Sequence, residues 1–190
     1  MKETEITVQV FNNFDEIADI LHEKGFYVIE HYHMTDWYFS KFDDVSNFNY
    51  ADLIKKSFLV RQRDDKKYMC VCYKNKELDS CGSVIAEEQL HANTPDTLIA
   101  VDIFKEAGLN NYCVVENESY IYGNGDYSFA LQLIKNLGIF VELEENESMK
   151  GMSGREKFDH MVSIVKSFGL KLGKDYSCKK VFMLLHNDKS

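Results

Sequence analysis

The stretch that decides the fold is 140–144, FVELE, near the end of the chain's strand-rich part. Its residues alternate in character, so that on a strand Val141 and Leu143 face one side while Glu142 and Glu144 face the other. Two carboxylates two residues apart then project side by side from one face. When such a pair stands alone, the ordinary interpretation is a solvated strand face.

A second E-x-E pair changes that interpretation. Glu3 and Glu5 lie in the N-terminal segment 2–11, KETEITVQVF, which also alternates like a strand. If this strand lies near 140–144, four carboxylates converge. Like charges at close range repel each other by several kcal/mol where the effective dielectric constant is low. The two pairs together therefore predict a bound cation or basic partners.

The composition is that of one globular domain spanning residues 1–190. Hydrophobic residues make up 45% of the chain and charged residues 28%, which is usual for a folded domain of this size. One proline and ten glycines argue against long disordered linkers. Eleven tyrosines and thirteen phenylalanines favour a strand-rich fold.

Charge and cysteine usage narrow the function classes. The net charge of −9 argues against binding to nucleic acid or to an anionic membrane. No apolar run approaches the roughly 18–20 residues of a membrane span. The odd number of cysteines, without a metal signature or a secretion signal, predicts reduced thiols and a cytoplasmic location. The five are Cys70, Cys72, Cys81, Cys113 and Cys178.

Hydrophobic periodicity and turn residues predict the elements of the first half. In chain order they are a strand over 2–11, a helix from an Asn13 or Asp15 cap to Lys24, one or two strands over 26–39, a loop over 43–49, a short helical or irregular segment over 50–56, and a hairpin with strands 58–63 and 68–73 joined by the turn 64–67.

The same signals predict the second half. In order they are a turn over 80–83, a strand over 84–91, a helix over 97–107 capped by Asp96, strands over 112–115 and 119–122, a turn over 123–126, a strand or helix start over 127–133, the strand at 140–144, a connection over 144–156, and helices over 158–168 and 177–187. Antiparallel strands that carry arginines and glutamates on shared faces fit a barrel with a polar interior. We therefore predict an α+β fold, a closed antiparallel eight-stranded β-barrel with helices outside and a C-terminal helical extension over 156–187.

Several motifs occur in one order that resembles the CYTH superfamily, which contains class IV adenylyl cyclases and thiamine triphosphatases and is also called the triphosphate tunnel metalloenzymes. The resemblance extends over about residues 2–186. The motifs are E-T-E at 3–5, D-W-Y-F at 36–39, R-Q-R at 61–63, Y-K at 73–74, Glu88 after Ala86, and L-G-x-F-V-E-L-E at 137–144.

The resemblance implies an enzyme with a tunnel in which acids hold Mg²⁺ or Mn²⁺ and bases grip a phosphorylated small molecule, and it is compatible with a homodimer. Phosphoryl transfer needs cations to neutralise charge, and Arg offers a bidentate fork to phosphate. The implied metal ligands are Glu3, Glu5, Glu142 and Glu144. The implied phosphate-binding bases are Arg61, Arg63 and Lys74, and the implied catalytic residues are Glu3, Glu5 and Asp36, with the role of Asp36 left open.

The chain departs from the family pattern at six positions, and at four of them the residue that is missing is an expected base. Each charge-assisted hydrogen bond is worth about 1.5–3 kcal/mol, so the lost bases predict an acidic tunnel that binds a cation but holds a triphosphate weakly. If the alignment with the family over 112–122 shifts by one residue, Glu116 and Glu118 occupy the expected Lys and Arg positions in place of Asn117 and Ser119. The departures are Thr7 for Lys, Ala86 for Arg, Leu90 for Glu, Asn117 for Lys, Ser119 for Arg and Gln132 for Asp.

Two interpretations of the tunnel stay open beside the enzyme, which would be a divalent-metal-dependent phosphohydrolase or adenylyl-cyclase-like protein. The tunnel could be a non-catalytic module that binds an organic phosphate or another anion, or a scaffold for a protein partner. Cys70 and Cys72 could face the tunnel or the core. His31 and His33 share a strand face near Asp36 and could bind a metal, although two histidines without a third ligand are more often ordinary strand residues.

Overall fold

The computed structural model describes residues 2–40, 56–64, 68–78 and 84–187. The predicted loop over 43–49, most of the segment 50–56, most of the turn at 64–67 and the turn at 80–83 lie outside the described residues. Within these ranges, none of the helices combines the length and the apolar character needed to cross a membrane.

The described part of the chain contains nine strand segments and four α-helices. The strands are β1 Lys2–Glu3, β2 Glu5–Val10, β3 Tyr27–Ser40, β4 Lys56–Arg63, β5 Met69–Leu78, β6 Val84–Asn93, β7 Asn110–Gly123, β8 Ser128–Ile134 and β9 Gly138–Glu144. The helices are α1 Phe14–Glu23, α2 Thr97–Glu106, α3 Gly154–Ser167 and α4 Lys180–Asn187, with a 3-10 turn at Glu147–Met149.

All strands join one antiparallel sheet in the order β1-β6-β5-β4-β3-β7-β8-β9-β2. Its two edges, β1 and β2, are consecutive pieces of the N-terminal segment, so the sheet has eight strands if the interrupted pair is counted once. The α+β class and the antiparallel eight-stranded arrangement are confirmed.

The predicted closure of the barrel is wrong, since the described sheet is curled but open. Between β6 and β2 the described residues make only the two-residue ladder of β1, Lys2 with Glu88 and Glu3 with Glu87. The pairing stops at Thr4, whose backbone N–H donates to Oε2 of Glu145 at 2.8 Å while its carbonyl accepts from the Glu145 backbone N–H at 2.9 Å. This contact turns the chain from β6 towards β9.

Several element bounds differ from the predicted ones. The segment 110–123 is one continuous strand, where the polar run at 116–119 predicted two, because that run still pairs with β3 and β8 on both sides. The open choice at 127–133 is resolved as a strand, and the long segment after 26 is one strand. Helix α3 starts earlier than predicted, at Gly154, and α4 starts later, at Lys180.

Strand alternation divides the polar and apolar faces of β2 and β9. Ile6 and Val8 of β2 and Val141 and Leu143 of β9 are buried in the main core, together with residues of α1 and α3 such as Leu21. The other residues of the two strands therefore face the concave side of the sheet. This is the alternation that the sequence predicted, and it directs the carboxylates of Glu5, Glu142 and Glu144 into the interior.

The helix starts follow capping rules. The Asn13 side chain accepts from the backbone N–H of Glu16 at 2.9 Å, and the Asp96 side chain accepts from two backbone N–H groups of α2, so both predicted caps are confirmed. Helix α3 begins with a capping box in which Ser153 and Glu156 satisfy each other's backbone N–H groups. This local signal explains why α3 begins before its apolar residues do.

Loss of the capping box gives a measurable stability change. We expect Ser153→Ala to lower the free energy of unfolding by about 1 kcal/mol, because backbone donors of the first turn lose their partner. Urea denaturation measures the change. The matched control is Ser163→Ala at an exposed position in the middle of α3, where the same substitution slightly favours the helix. Equal effects of the two variants would contradict the capping role.

Candidate functional site

Three of the four predicted metal-side acids meet on the concave face of the sheet. Glu5 of β2 lies directly opposite Glu144 of β9, and Glu142 lies opposite Thr7. Carboxylate oxygens of Glu5, Glu142 and Glu144 all lie within 4.8 Å of one another. The backbone of Glu3 pairs with Glu87, but its side chain lies outside the described atoms, so its role as a ligand stays a prediction.

Lysines surround these carboxylates. The Lys76 Nζ lies 3.4 Å from Oε1 of Glu5, and the Lys180 Nζ lies 2.6 Å from Oε2 of Glu142. Burial opposes the charge of Glu5, but the attraction of the lysines, Lys76 foremost, outweighs it and holds the pKa of Glu5 well below its usual value. Glu5 is therefore a carboxylate throughout the ordinary pH range.

Asp36 fixes the guanidinium of Arg61. The two residues are directly opposite each other on β3 and β4, and Arg61 donates from Nε and Nη2 to the two carboxylate oxygens at 2.7 and 2.6 Å. Burial disfavours the charge on Arg61, but Asp36 outweighs it, so the pKa of Arg61 is raised well above its usual value. Asp36 therefore holds the Arg61 guanidinium in a fixed orientation.

The second arginine of R-Q-R has a different environment. Arg63 donates from Nη2 to Oε1 of Glu30 at 2.7 Å, and its guanidinium carbon lies 3.9 Å from the centre of the Tyr32 ring. The concave side of the sheet holds a narrow cavity and a wide cavity. Arg63 lines the wide cavity but not the narrow one, whereas Arg61 lines both. The two arginines therefore line different parts of the concave face.

Lys74 and Lys76 lie on the same face of β5 and share the buried carboxylate of Glu87. The Lys74 Nζ is 2.8 Å from Oε1 of Glu87, and Lys76 pairs with Oε2. Burial opposes the charge of Lys74, but Glu5 and Glu87 outweigh it and raise its pKa. The structure thus places the predicted base Lys74 inside the narrow cavity.

Two connected cavities occupy the concave side of the sheet. The narrow one has a volume of about 120 Å³ and the wide one about 840 Å³. The residues that line both are Met34, Arg61, Gln89, Gln132, Glu142 and Glu144. The narrow cavity concentrates charge, as a phosphate site requires, and the wide one has the size of pockets that take small organic molecules.

The predicted excess of acids in the cavity is wrong, because the sequence interpretation missed several bases. Among the described residues, the narrow cavity is lined by as many bases as acids. The bases are Arg61, Lys74, Lys76, Lys179 and Lys180, and the acids are Glu5, Asp36, Glu87, Glu142 and Glu144. Lys76 could have been found from its i, i+2 spacing to Lys74, whereas the Lys179–Lys180 pair reaches the site only through the packing of the C-terminal segment.

The predicted register of β6 is also wrong. Glu87 and Gln89 line the narrow cavity, and they pair with Lys76 and Lys74 of β5. Glu88 is exposed, and Leu90 on the same face is 61% exposed. Positions 86, 88 and 90 therefore do not face the interior, and the Arg and Glu expected at 86 and 90 are not losses from the site.

The other departures are interior positions filled by neutral polar groups. Thr7, Asn117 and Gln132 line the narrow cavity, and the fully buried Ser119 donates to Oδ1 of Asn117 at 2.7 Å. Gln132 donates to Oε1 of Glu142 at 3.4 Å. Because Asn117 and Ser119 face inwards, their neighbours Glu116 and Glu118 face outwards, which excludes the one-residue slip.

The cysteine alternatives are resolved for the C-x-C pair. Cys70 and Cys72 are buried in a small core cluster with Leu59, their sulfur atoms 3.2 Å apart. They lie on the same concave face of β5 as Lys74 and Lys76, and Cys70 lies directly opposite Arg61, so they are core thiols packed on the interior side of the sheet.

The lowered pKa of Lys179 predicts that anion binding in the narrow cavity depends on pH. Burial, and then repulsion from Lys76, lower the pKa of Lys179 to about 8. A bound anion favours the protonated form, so affinity is retained below this pKa and declines as the pH rises through it. We expect tripolyphosphate to bind at least about tenfold more weakly at about pH 9.5 than at about pH 7.

Calorimetric titration at the two pH values measures this loss of affinity. Lys179→Arg is the matched control, because arginine stays charged throughout this range. The variant should lose less affinity than the wild type on going to high pH. An identical pH profile in both proteins would show that Lys179 does not contact the anion.

The fold and the site define a class of α+β proteins with a charged cavity on the concave face of a curled antiparallel sheet. A family model described as the CYTH domain matches residues 1–168, and the chain belongs to the CYTH family. The family resemblance seen in the sequence is therefore confirmed.

Individual relatives agree with this assignment. The chain is 25% identical over 186 residues to a Methanocaldococcus jannaschii protein named "Putative adenylate cyclase MJ0240", covering 97% of this chain and 98% of the relative. Protein PH1012 of Pyrococcus horikoshii has a similar structure, with a TM-score of 0.72 and 18% identity over 95% of this chain and 98% of its own. The Hippeastrum protein named "Putative adenylyl cyclase HpAC1", whose structure is described as revealing a dominant triphosphatase activity, has a TM-score of 0.63 and 14% identity over 98% of this chain and 96% of its own.

Proposed function

We propose that this protein is a divalent-metal-dependent enzyme that acts on an organic phosphate or polyphosphate, by phosphohydrolase or adenylyl-cyclase-like chemistry. The observation that supports it is the arrangement of one cavity. The carboxylates of Glu5, Glu142 and Glu144 converge there, beside arginine and lysine side chains that line the same space. Phosphoryl transfer requires this combination, because it depends on positioning and on charge neutralisation.

The donor set fits Mg²⁺ or Mn²⁺. All three converging groups are carboxylates, and hard divalent cations prefer oxygen ligands. Around a cation with oxygen ligands at about 2.1 Å, neighbouring oxygens lie about 3 Å apart and opposite ones about 4.2 Å, which is compatible with oxygens that lie within 4.8 Å of one another. Glu5, Glu142 and Glu144 would hold the cation, with Glu3 as a further candidate. When bound, it would neutralise charge on the phosphate.

Because of the charge balance of the cavity, the binding of a divalent cation favours the binding of a polyanionic phosphate. Among the residues whose side chains the structure describes, five acids and five bases line the narrow cavity, so the formal charges of these ten cancel. A divalent cation would make the site positive and favourable for a polyanion. Lys76 and Lys180, which pair with Glu5 and Glu142 here, are then available for phosphate oxygens, while Asp36 keeps the Arg61 fork in place.

The reaction class stays open between two proposals. The M. jannaschii relative carries the name "Putative adenylate cyclase MJ0240", and the Hippeastrum protein is described with a triphosphatase activity. Both reactions start from a triphosphate; a cyclase releases pyrophosphate and a triphosphatase releases phosphate. The cytoplasmic location and the homodimer stay predictions.

Turnover with a substrate panel tests the proposal. The protein is incubated with Mg²⁺ or Mn²⁺ and ATP, other nucleoside triphosphates, tripolyphosphate or monoesters, and released phosphate, pyrophosphate and cyclic nucleotide are measured. We expect cation-dependent turnover that is lost in Glu142→Gln and kept in Glu116→Gln, which makes the same change on the outer face. Wild-type turnover no higher than that of Glu142→Gln for any substrate would refute enzymatic activity.

One observation favours a second candidate, a non-catalytic module that binds an organic phosphate. The pairs Lys76–Glu5 and Lys180–Glu142 neutralise metal-side carboxylates with groups of the protein itself. A binding module predicts that tripolyphosphate raises the melting temperature in the presence of EDTA, without turnover in the panel. If the rise instead requires Mg²⁺ or Mn²⁺, the enzyme interpretation is favoured.

A further inference from the structure

Two histidines and a glutamate converge on the outer face of the sheet, away from the cavity. His31 and His33 lie on β3, and Glu118 lies on β7 directly opposite His33. The Nε2 atoms of His31 and His33 lie 2.9 and 3.7 Å from Oε1 of Glu118. One ligand atom from each of the three residues lies within 4.8 Å of the others.

This cluster differs from the one that the sequence indicated. Alternation along β3 directs Asp36 into the cavity, where it pairs with Arg61, and directs His31 and His33 to the opposite face. Asp36 therefore faces away from the two histidines and is not part of their cluster. The third ligand type comes from Glu118, which is distant in sequence and is brought there by the register of β3 with β7.

We propose that His31, His33 and Glu118 form a binding site for Zn²⁺ or a similar transition-metal ion, on the outer face of the β3–β7 pair. Zn²⁺ binds imidazole nitrogen and carboxylate oxygen at about 2.0–2.2 Å, which places tetrahedral ligand atoms about 3.3–3.5 Å apart. The two histidine–carboxylate distances, 2.9 and 3.7 Å, lie on either side of this value.

Neighbouring residues already orient the three ligands. The Nδ1 of His33 lies 3.1 Å from Oδ2 of Asp64, which leaves Nε2 directed at Glu118. The His31 ring stacks on Tyr120 with centroids 4.3 Å apart and planes at 18°. The Tyr120 hydroxyl donates to Oε1 of Glu118 at 2.7 Å. A carboxylate behind a ligating histidine is the usual outer partner of a protein zinc site.

The chemistry of the donors sets the selectivity. Imidazole suits Zn²⁺, Ni²⁺ or Cu²⁺, whereas Mg²⁺ prefers oxygen ligands, so this site and the carboxylate cluster of the cavity take different metals. The side chains of His31, Glu118 and His33 are 43%, 32% and 56% exposed, which gives an ion direct access from solvent. Three protein ligands leave a fourth position for water or an external ligand.

Zinc binding by the full chain tests the proposal. Protein freed of metal with EDTA is titrated with Zn²⁺ by calorimetry, as wild type and as the double variant His31→Ala/His33→Ala. We expect one site in the wild type and a loss of affinity on the order of a hundredfold in the double variant. Asp64→Asn should weaken binding by about 10–100-fold, since it removes the outer partner of His33. His160→Ala, on α3, is the control and should bind like the wild type.

Two further measurements separate this site from other metal-binding groups. Glu142→Gln/Glu144→Gln should keep the tight Zn²⁺ site, since those residues lie in the cavity. The Co²⁺-loaded wild type should show ligand-field bands without a thiolate charge-transfer band, which excludes the cysteines. Equal Zn²⁺ affinity in the wild type and the double histidine variant, or loss of the site in the cavity variant, would overturn the proposal.

Discussion

Replacing Asp36 with alanine lowers the free energy of unfolding by about 3–5 kcal/mol, the expected cost of leaving one partner of a buried ion pair alone. The side chains of Asp36 and Arg61 are only 5% and 19% exposed, and two hydrogen bonds join them. In the variant the Arg61 guanidinium keeps its buried charge without the carboxylate that balances it. Urea denaturation followed by fluorescence of Trp37, the single tryptophan, measures the loss.

Two controls show whether the loss of stability comes from a charge left buried without a partner, rather than from the loss of any ion pair. Asp159→Ala breaks the Arg155–Asp159 pair on α3, whose side chains are 62% and 58% exposed, and should cost at most about 1 kcal/mol. Asp36→Ala/Arg61→Met removes both buried charges and should recover much of the stability lost in the single variant. A loss of under about 1 kcal/mol in Asp36→Ala would show that water screens the pair.

Glu142→Gln/Glu144→Gln is expected to abolish the response of the protein to Mg²⁺ or Mn²⁺ and to reduce any phosphate turnover on the order of 10²–10³-fold. Two of the three converging carboxylates lose their charge in this variant, and metal stabilisation of developing charge is worth several kcal/mol, with about 1.4 kcal/mol for each factor of ten. The remaining carboxylate, Glu5, also pairs with Lys76, and a single carboxylate binds a divalent cation weakly.

Thermal unfolding measures the metal response independently of activity. A cation at about a hundred times its dissociation constant stabilises the native state by about 2.7 kcal/mol, which raises the melting temperature of the wild type. Lys180→Met is the informative comparison, because it removes the lysine that pairs with Glu142 and leaves the carboxylates in place. It should respond to the cation at least as strongly as the wild type. A metal response unchanged in the double glutamine variant would place the cation elsewhere.

The local periodicity of the chain determined much of the fold and the acidic half of the site. In 5–10 and 138–144, apolar residues alternate with polar ones, so that any packing of the apolar face directs Glu5, Glu142 and Glu144 to the other side. The caps at Asn13 and Asp96 are also local, since each is satisfied within three residues. Such features follow from backbone geometry and need no distant partner.

The pairing of distant segments was decided by the tertiary structure alone. A shift of one residue reverses the faces of a strand, and only pairing with β5 and β1 shows that Glu87, rather than Glu88, is the interior acid of β6. Lys179 and Lys180 enter the cavity because the segment before α4 pairs with β2 through Ser177 and Thr7. Ser177 and Thr7 are more than a hundred positions apart in the sequence, and hydrophobic periodicity carries no information about such a pairing.

The sequence by itself therefore determined a carboxylate face, an antiparallel α+β fold and a CYTH resemblance. The tertiary structure decided the charge balance of the cavity, the role of Asp36 as the partner of Arg61, and the meeting of Glu118 with His31 and His33. The physical reason is that side-chain direction depends on local backbone geometry, whereas the partner that a side chain meets depends on strand register and on the packing of distant segments.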